Sequence, residues 1–522
     1  MGKFLYGAAV QGIQGFIFQT NKLREIVGAS ELVKEICEDL FRETVDGSYC
    51  DYDGEKGSIL RAAGNIKYIF TNKEECENVV REFPKKVLNY APGITISQAV
   101  VEMEGESESF EAAVNKLESK LHVQRNKPMR SLNVGLMGIE RSRQTGLPIV
   151  SRTNDKGNFE EIDAATWAKL YEYEKDKKVR KRTTPKLCRL AFGIKDLSDK
   201  QVAFEVSEIC DKNNWIAVVH ADGNGLGSIV QKIGTDPKRF KTFSENLDKA
   251  TTSAAVKAFD DVKNRFKDAT VIPIRPIVLG GDDLTVICRA DLAVDYTQAF
   301  LHYFEEQTKE LLSGEIKEVF GANEDGGLTA CAGIAFIKSS YPFYYGYELA
   351  ESLCSAAKND AKDSPEIKAG KKLPLSCLMF HKVQDSFVEE YKEIAARELT
   401  PDKFTSFKYG PYYLKSKEGK WTIDTLKAYV QKLEEGKGNA IKSHLRNWLN
   451  LLHDDKNLAE QKLERLKSLL SDNDKKFVSD ITKSVIRTEK DEEGNDKDVS
   501  YYPVYDMLAI NTIINQETLN TK

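Results

Sequence analysis

Two short acidic motifs hold the residues best suited to chemistry: Asp222 in His220-Ala221-Asp222-Gly223-Asn224-Gly225, and Asp282 with Asp283 in Gly280-Gly281-Asp282-Asp283. Crowded carboxylates repel one another and stay ionised only when cations neutralise them, so such a set suits hard divalent ions with oxygen ligands, magnesium or manganese. Two such ions about 3.5–4 Å apart would stabilise the attacking and leaving oxygens of an in-line displacement at phosphorus. The backbone of Asn224, Gly225, Leu226 and Gly227 leads into a helix, where free N–H groups can receive a triphosphate. Gly280 and Gly281 permit close approach of the backbone to a nucleotide. Either motif alone is a common loop or turn. Their joint occurrence, each after an apolar strand and sixty positions apart (282 − 222 = 60), makes one site the better reading.

The elements that must position these acids follow from hydrophobic periodicity. Trp215 to His220 is an apolar strand, Asp236 to Phe266 is helical, and Arg275 to Cys288 gives two strands bent at Gly280-Gly281. Leu292 to Val319 is a long helix, Leu328 to Ile337 a strand and Tyr347 to Ala361 a helix. In this order the first strand lies beside the hairpin, which brings the three acids to one sheet edge. The first 130 residues repeat the order: a strand over Tyr6–Phe18, a helix over Lys22–Phe41, a hairpin over Ser58–Thr71, a helix over Lys73–Tyr90, a strand over Gly93–Met103 and a helix over Ser107–His122. The fold class is therefore α+β, with two ferredoxin-like palm (βαββαβ) units. The expected boundaries are 1–128 for the first palm, 129–210 for a connector, 211–383 for the second palm and 384–522 for a helical C-terminal domain, with an exposed charged loop over Glu489–Asp498. Within the connector a helix is expected near Ala164–Glu174.

A chain of 522 residues with 41% hydrophobic and 30% charged residues fits a globular protein of several domains, and no apolar run approaches a membrane span. Nine scattered cysteines without a C-x-x-C pair indicate reduced thiols in a cytoplasm and argue against zinc. A net charge of −5 does not advertise general nucleic-acid binding. The basic stretch KDKKVRKRTTPK (175–186) is the local exception, read as a solvated face with RNA or phosphate contact as the alternative.

With these motifs in place, the sequence resembles the polymerase/cyclase palm family that includes the large subunit of type III CRISPR effector complexes and, more distantly, the GGDEF diguanylate cyclases. HADGNGLG, LGGDDL and AESLCSAAKNDAK carry the resemblance in the second palm, and QGIQGFIFQTNKLREIVGASELV and AAGN in the first. The resemblance implies metal ligation by Asp222, Asp282 and Asp283 and triphosphate contact by Lys358. Ser244 is similar to a family serine that faces the adenine base, and Ser30 is its counterpart in the first palm. The hairpin Ala62-Ala63-Gly64-Asn65 has no acid, so Gly64 and Asn65 are expected to hold a second nucleotide without catalytic metals. Two features of the family are missing from the pattern: the HD nuclease domain, since the first palm begins almost at Met1, and the cysteine-rich zinc element between the palms. His453-Asp454 is the one HD dipeptide, read as a helix end.

The function implied is a nucleotidyl cyclase that joins ATP through its 3′ hydroxyl and α-phosphate into a linear or cyclic oligoadenylate second messenger of CRISPR-type antiviral defence. Two ions of Mg²⁺ or Mn²⁺ are the expected cofactors, and ATP, with RNA or CRISPR effector subunits, the expected partners. The alternatives are an RNA-binding scaffold subunit and a nucleotide sensor without turnover.

Overall fold

In the computed structural model, which describes residues 2–46, 58–62, 64–103, 110–127, 137–155, 158–173, 179–182, 186–234, 236–321, 326–384, 390–434, 438–490 and 495–514, the chain opens on β1 (Lys3–Gln11), buried along nearly its whole length. Gly12 then adopts a left-handed φ of 63° and turns the chain into α1 (Ile13–Ile17). The single strand expected over Tyr6–Phe18 is thus a strand and a helix. A helix α2 (Leu23–Glu35) continues through one π turn into α3 (Phe41–Asp46). The hairpin β2 (Ser58–Ala62) and β3 (Asn65–Phe70) follows, then α4 (Lys73–Tyr90), whose first turn is capped by Asn72 accepting from the Glu74 N–H at 2.9 Å. β4 (Thr95–Met103) and α5 (Phe110–Arg125) complete the unit. Its sheet order is β2-β3-β1-β4, all antiparallel, as the β-α-β-β-α-β pattern requires.

Residues between the two expected palms form the hairpin β5 (Ile149–Asp155) and β6 (Asn158–Asp163), α6 (Ala164–Leu170), the short pair β7 (Tyr171–Tyr173) and β8 (Val179–Lys181), and α7 (Lys186–Phe192). The helix expected to reach Glu174 stops at Leu170, because the next three residues pair with Val179–Lys181. Part of the basic stretch, residues 175–178 and 183–185, lies outside the described residues. Arg182 does not belong to a solvated face: it is buried and donates to Glu35 of α2 at 2.7 Å, and Lys186 joins the same carboxylate at 3.3 Å. A charge this deep is tolerated because it is paired.

The second unit runs β9 (Trp215–Gly223), α8 (Leu226–Ile233), α9 (Pro237–Val262), β10 (Ile274–Gly280), β11 (Asp283–Arg289), α10 (Ala293–Phe320), β12 (Ala330–Lys338), α11 (Phe343–Ala361), α12 (Pro365–Lys368) and β13 (Cys377–Lys382). β9 continues through Gly223 instead of ending at His220, since β12 pairs with it to the last residue. The remaining chain holds α13 (Tyr391–Glu398), β14 (Thr405–Ser406), β15 (Tyr412–Tyr413), α14 (Ile423–Lys432), α15 (Gly438–Asp454), α16 (Lys456–Ser468), α17 (Asp472–Thr482), β16 (Val485–Lys490), β17 (Asp496–Tyr501) and α18 (Val504–Ile514). The large sheet has the order β10-β11-β9-β12-β13-β15, so Tyr412–Tyr413 extends it from beyond residue 384. The charged loop expected over Glu489–Asp498 is in its described part the tip of an antiparallel hairpin, Val485–Tyr501 to Lys490–Asp496. Alternation of half-buried and exposed residues along β16 shows why charge did not exclude a strand there. His453 and Asp454 do stand at a helix end, and Asp455 caps α16 by accepting from the Leu458 N–H at 3.0 Å. One apolar cluster continues from Tyr6 and Phe41 through Val218 and Phe300 to Leu445 and Met507, joining both sheets and the C-terminal helices.

Candidate active site at the tip of the second hairpin

Strand β9 is hydrogen-bonded on both sides, to β11 and β12, so its final residues have little freedom. Asp222 pairs with Cys331 of β12, and Ala221 with Leu284 of β11, which sets Asp222 opposite Asp283. β10 and β11 close through Gly281-Asp282 between the paired Gly280 and Asp283. Gly281 has φ 62°, a conformation that suits glycine at the first position of a two-residue hairpin turn. Helix α9 grips this turn from two directions: Asp248 accepts from the Gly281 N–H at 3.2 Å, and the Thr251 hydroxyl donates to the Gly281 carbonyl at 2.6 Å. Gly223 completes the approach, because a Cβ there would lie 2.8 Å from the Asp282 Cβ.

Carboxylate oxygens of Asp222, Asp282 and Asp283 consequently lie within 4.8 Å of one another. Burial, then the charges of Asp283 and Asp222, push Asp282 up to about 8, and burial with Asp222 pushes Asp283 up to about 6. Lys358 of α11 is ion-paired with Asp222 and donates to the Gly223 carbonyl at 2.9 Å. Burial opposes its charge, but the Asp222 hydrogen bond and charge outweigh it and hold the ammonium above its usual range. One ammonium against three acids leaves a set of hard, mutually repelling oxygens, which fits a divalent cation. Helix α11 delivers Lys358 because Gly333 lets it close on β12; a Cβ there would be 1.9 Å from the Ala350 carbonyl oxygen.

Asp283 also lines a cavity of about 560 Å³ that draws on both β-α-β-β-α-β units. Ser30 and Gly64 contribute from the first, and Ser244, Gly280 and Asp283 from the second. The Ser30 hydroxyl donates to the Ile277 carbonyl of β10 and thereby ties the units together. Gly64, at φ 78°, is packed against Ile13 and its carbonyl accepts from the Val10 N–H at 2.8 Å. Other expected contacts lie off this lining. Asn224 is buried, with its amide donating to the Thr329 hydroxyl at 3.1 Å and to the Cys331 sulfur at 3.4 Å, so it fastens the β9–α8 turn to β12. Gly225 is left-handed at φ 82° beneath Leu373, and Leu226 and Gly227 open α8. Gly281 shapes the acid turn, and Asn65 pairs with Ala9 and Ala62 in the first sheet.

Three further lining residues, His220, Tyr347 and Gln14, do not stand out as site residues in the sequence. His220 Nδ1 lies 3.1 Å from the Thr285 hydroxyl, and burial with the Lys358 charge, opposed by Asp222, brings its imidazole down to about 4, so it is neutral at pH 7. Tyr347 stacks on Phe18 with centroids 4.3 Å apart and accepts from Gln14 at 2.9 Å. A signal exists, since His220 stands in HADG and Gln14 in QGIQG, but both residue types also read as ordinary core or loop positions.

Residues 215–365 match the family model of the Cas10/Cmr2 second palm domain. Among solved structures, a Csm1-Csm4 cassette in complex with cA3 aligns with TM-score 0.55 at 13% identity, over 98% of this chain and 69% of that one. A Csm1-Csm4 cassette in complex with pppApApA aligns with TM-score 0.51 at the same identity and the same coverage of each chain. No curated protein sequence matches. The GGDD unit is thus a palm domain, and the chain carries a Cas10-like second palm. Among the described residues no helix is long and apolar enough to cross a membrane.

Proposed function

We propose that this protein is a metal-dependent nucleotidyltransferase that joins ATP into linear or cyclic oligoadenylate. The observation that carries the reading is the convergence of Asp222, Asp282 and Asp283 beside a cavity built from two units of the same topology. Asp222, Asp282 and Asp283 would hold two ions of Mg²⁺ or Mn²⁺, which would supply activation of the attacking 3′ hydroxyl and charge to offset that at the α-phosphate as pyrophosphate leaves. Asp248 and Thr251 keep the acid-bearing turn rigid, so the carboxylates are aligned before substrate arrives. Lys358 supplies positive charge for a triphosphate, and the first turn of α8 offers backbone N–H groups to the same phosphates. Ser244 and Ser30 face the two adenines, one on each unit, and Gly64 lines the cavity on the side of the nucleotide that has no metals.

In this reading both units are palms, the chain divides into 1–128, 129–210, 211–383 and 384–522, and the product serves as a second messenger in CRISPR-type defence with an effector subunit as partner. The scaffold alternative keeps the rest of the basic stretch, since among its described residues Arg182 and Lys186 alone are paired with Glu35. Incubation of the purified chain with labelled ATP and Mg²⁺ or Mn²⁺, followed by chromatographic separation, tests the assignment. Oligoadenylate and pyrophosphate are expected; unchanged ATP under both ions would overturn it.

A further inference from the structure

Trp215 opens strand β9 and Asp222 stands near its other end, so the tryptophan lies about 23 Å from the acid cluster at the usual rise per strand residue. Around Trp215 two lysines gather. Lys338 and Lys382 place their ammonium groups 4.2 Å and 4.7 Å from the centroid of its ring. Lys382 also lines a separate cavity of about 280 Å³ with Arg446 and His453, over the apolar side chains of Phe407, Leu449 and Leu508. Among the described residues, no acidic one lines this cavity.

The hydrogen-bond partners of the two lysines are neutral: Lys382 donates to the Thr512 hydroxyl and Lys338 to the Asn213 carbonyl, each at 2.6 Å. Asp211 is the acid that attracts Lys382; its Oδ1 accepts from the Asn213 and Trp215 N–H groups at 2.8 Å, and its Oδ2 is buried without a hydrogen-bond partner. Gathering like charges at a partly buried place costs stability that an anion would recover. Burial, Lys338 and Arg446 together push the Lys382 ammonium down to about 8, which registers that cost.

We propose that this cavity is a second nucleotide site, in which Arg446 and Lys382 bind a phosphate group, free in a mononucleotide or carried by an RNA strand. A guanidinium fork with an ammonium is the side-chain pair that phosphate oxygens require. The volume suits one nucleotide, and Phe407, Leu449 and Leu508 supply the apolar wall that a sugar or base needs. The pocket stands apart from the catalytic metals, so it binds without them.

Equilibrium binding in EDTA tests this, with ATP and a twelve-nucleotide single-stranded RNA as the two probes on the full chain. Arg446 is exposed, so Arg446→Gln should leave the thermal unfolding temperature unchanged. At least one probe should bind and be weakened about tenfold by Arg446→Gln, with the salt dependence of its affinity flattened by about one ion. Lys382→Gln should weaken the same probe, and the probe that both variants weaken identifies the source of the phosphate. No binding of either probe, or affinities equal in wild type and both variants, would overturn the proposal.

Discussion

In the second palm the register of β9, β11 and β10 sets Asp222 opposite Asp283 and Asp283 opposite Gly280. The same register in the N-terminal unit sets Ala9 opposite Asn65 and Asn65 opposite Ala62. Ala9, Gly64 and Asn65 therefore occupy the places of Asp222, Asp282 and Asp283. The left-handed glycine has also moved by one position: it precedes the tip residue in the second palm, at Gly281, and is the tip residue itself in the first, at Gly64. Asp282 can sit at its tip because it has no positive φ among the described residues, whereas an acid at 64 would be strained. One topology thus presents three clustered carboxylates at the hairpin of one unit and none at the hairpin of the other.

The most direct way to break this comparison is to make the two hairpins alike. Asp282→Ala combined with Asp283→Ala should lower ATP turnover by about a thousandfold or more while thermal unfolding stays at or above wild type, since a repulsive pair is removed. A well-folded variant with wild-type product formation would dissolve the distinction between the units. Chelation of the wild type should give the same loss, restored by adding Mg²⁺ or Mn²⁺.

The next test fills the cavity on the side without the clustered acids. Gly64 is a poor choice, given its φ of 78° and the Ile13 side chain only 2.4 Å from where a Cβ would stand, but Gly15 lines the same cavity with nothing within 4 Å of a Cβ. Gly15→Trp should cut turnover more than about tenfold and reduce calorimetric stoichiometry from about two nucleotides to about one, as independent half-sites predict. A homodimer of second palms predicts instead that Gly15→Trp stays active and that wild-type activity falls steeply on dilution.

A smaller effect is expected from Lys358→Ala, which removes one charge from the ligand-bearing side alone. Apparent ATP affinity should weaken about tenfold with kcat changed less, and the metal concentration for half-activity should fall because Asp222 loses its competing ammonium. An unchanged KM would remove Lys358 from the site.

The smallest effect lies in pH dependence without metal. Asp282 at about 8 and Asp283 at about 6 are raised in the folded chain, so the stability they confer is present below about pH 4 and is lost as pH rises through 6 to 8. Denaturant unfolding in EDTA should show wild type losing stability over that window relative to the double alanine variant. Parallel pH curves would mean that the acids do not repel in the folded chain.

Sequence alone determined that Asp222, Asp282 and Asp283 would meet, because apolar runs, turn glycines and strand order are local signals and adjacency of β9 to the hairpin follows from them. It equally determined that the first hairpin would carry no acid. Periodicity does not reveal β15 as an extension of the large sheet or the hairpin Val485–Tyr501, since strands two residues long or rich in charge give a weak pattern. Only tertiary structure decided that Ser30 reaches across to Ile277, that Gln14 meets Tyr347 and that Asp248 and Thr251 hold the acid turn. Residues 333 and 247 positions apart carry no joint pattern that periodicity can reveal. The same holds for Asn224, whose backbone N–H donates to the Thr329 carbonyl at 2.8 Å while its side-chain amide turns to Thr329 and Cys331, because buried polar groups must find partners wherever the neighbouring strand supplies them.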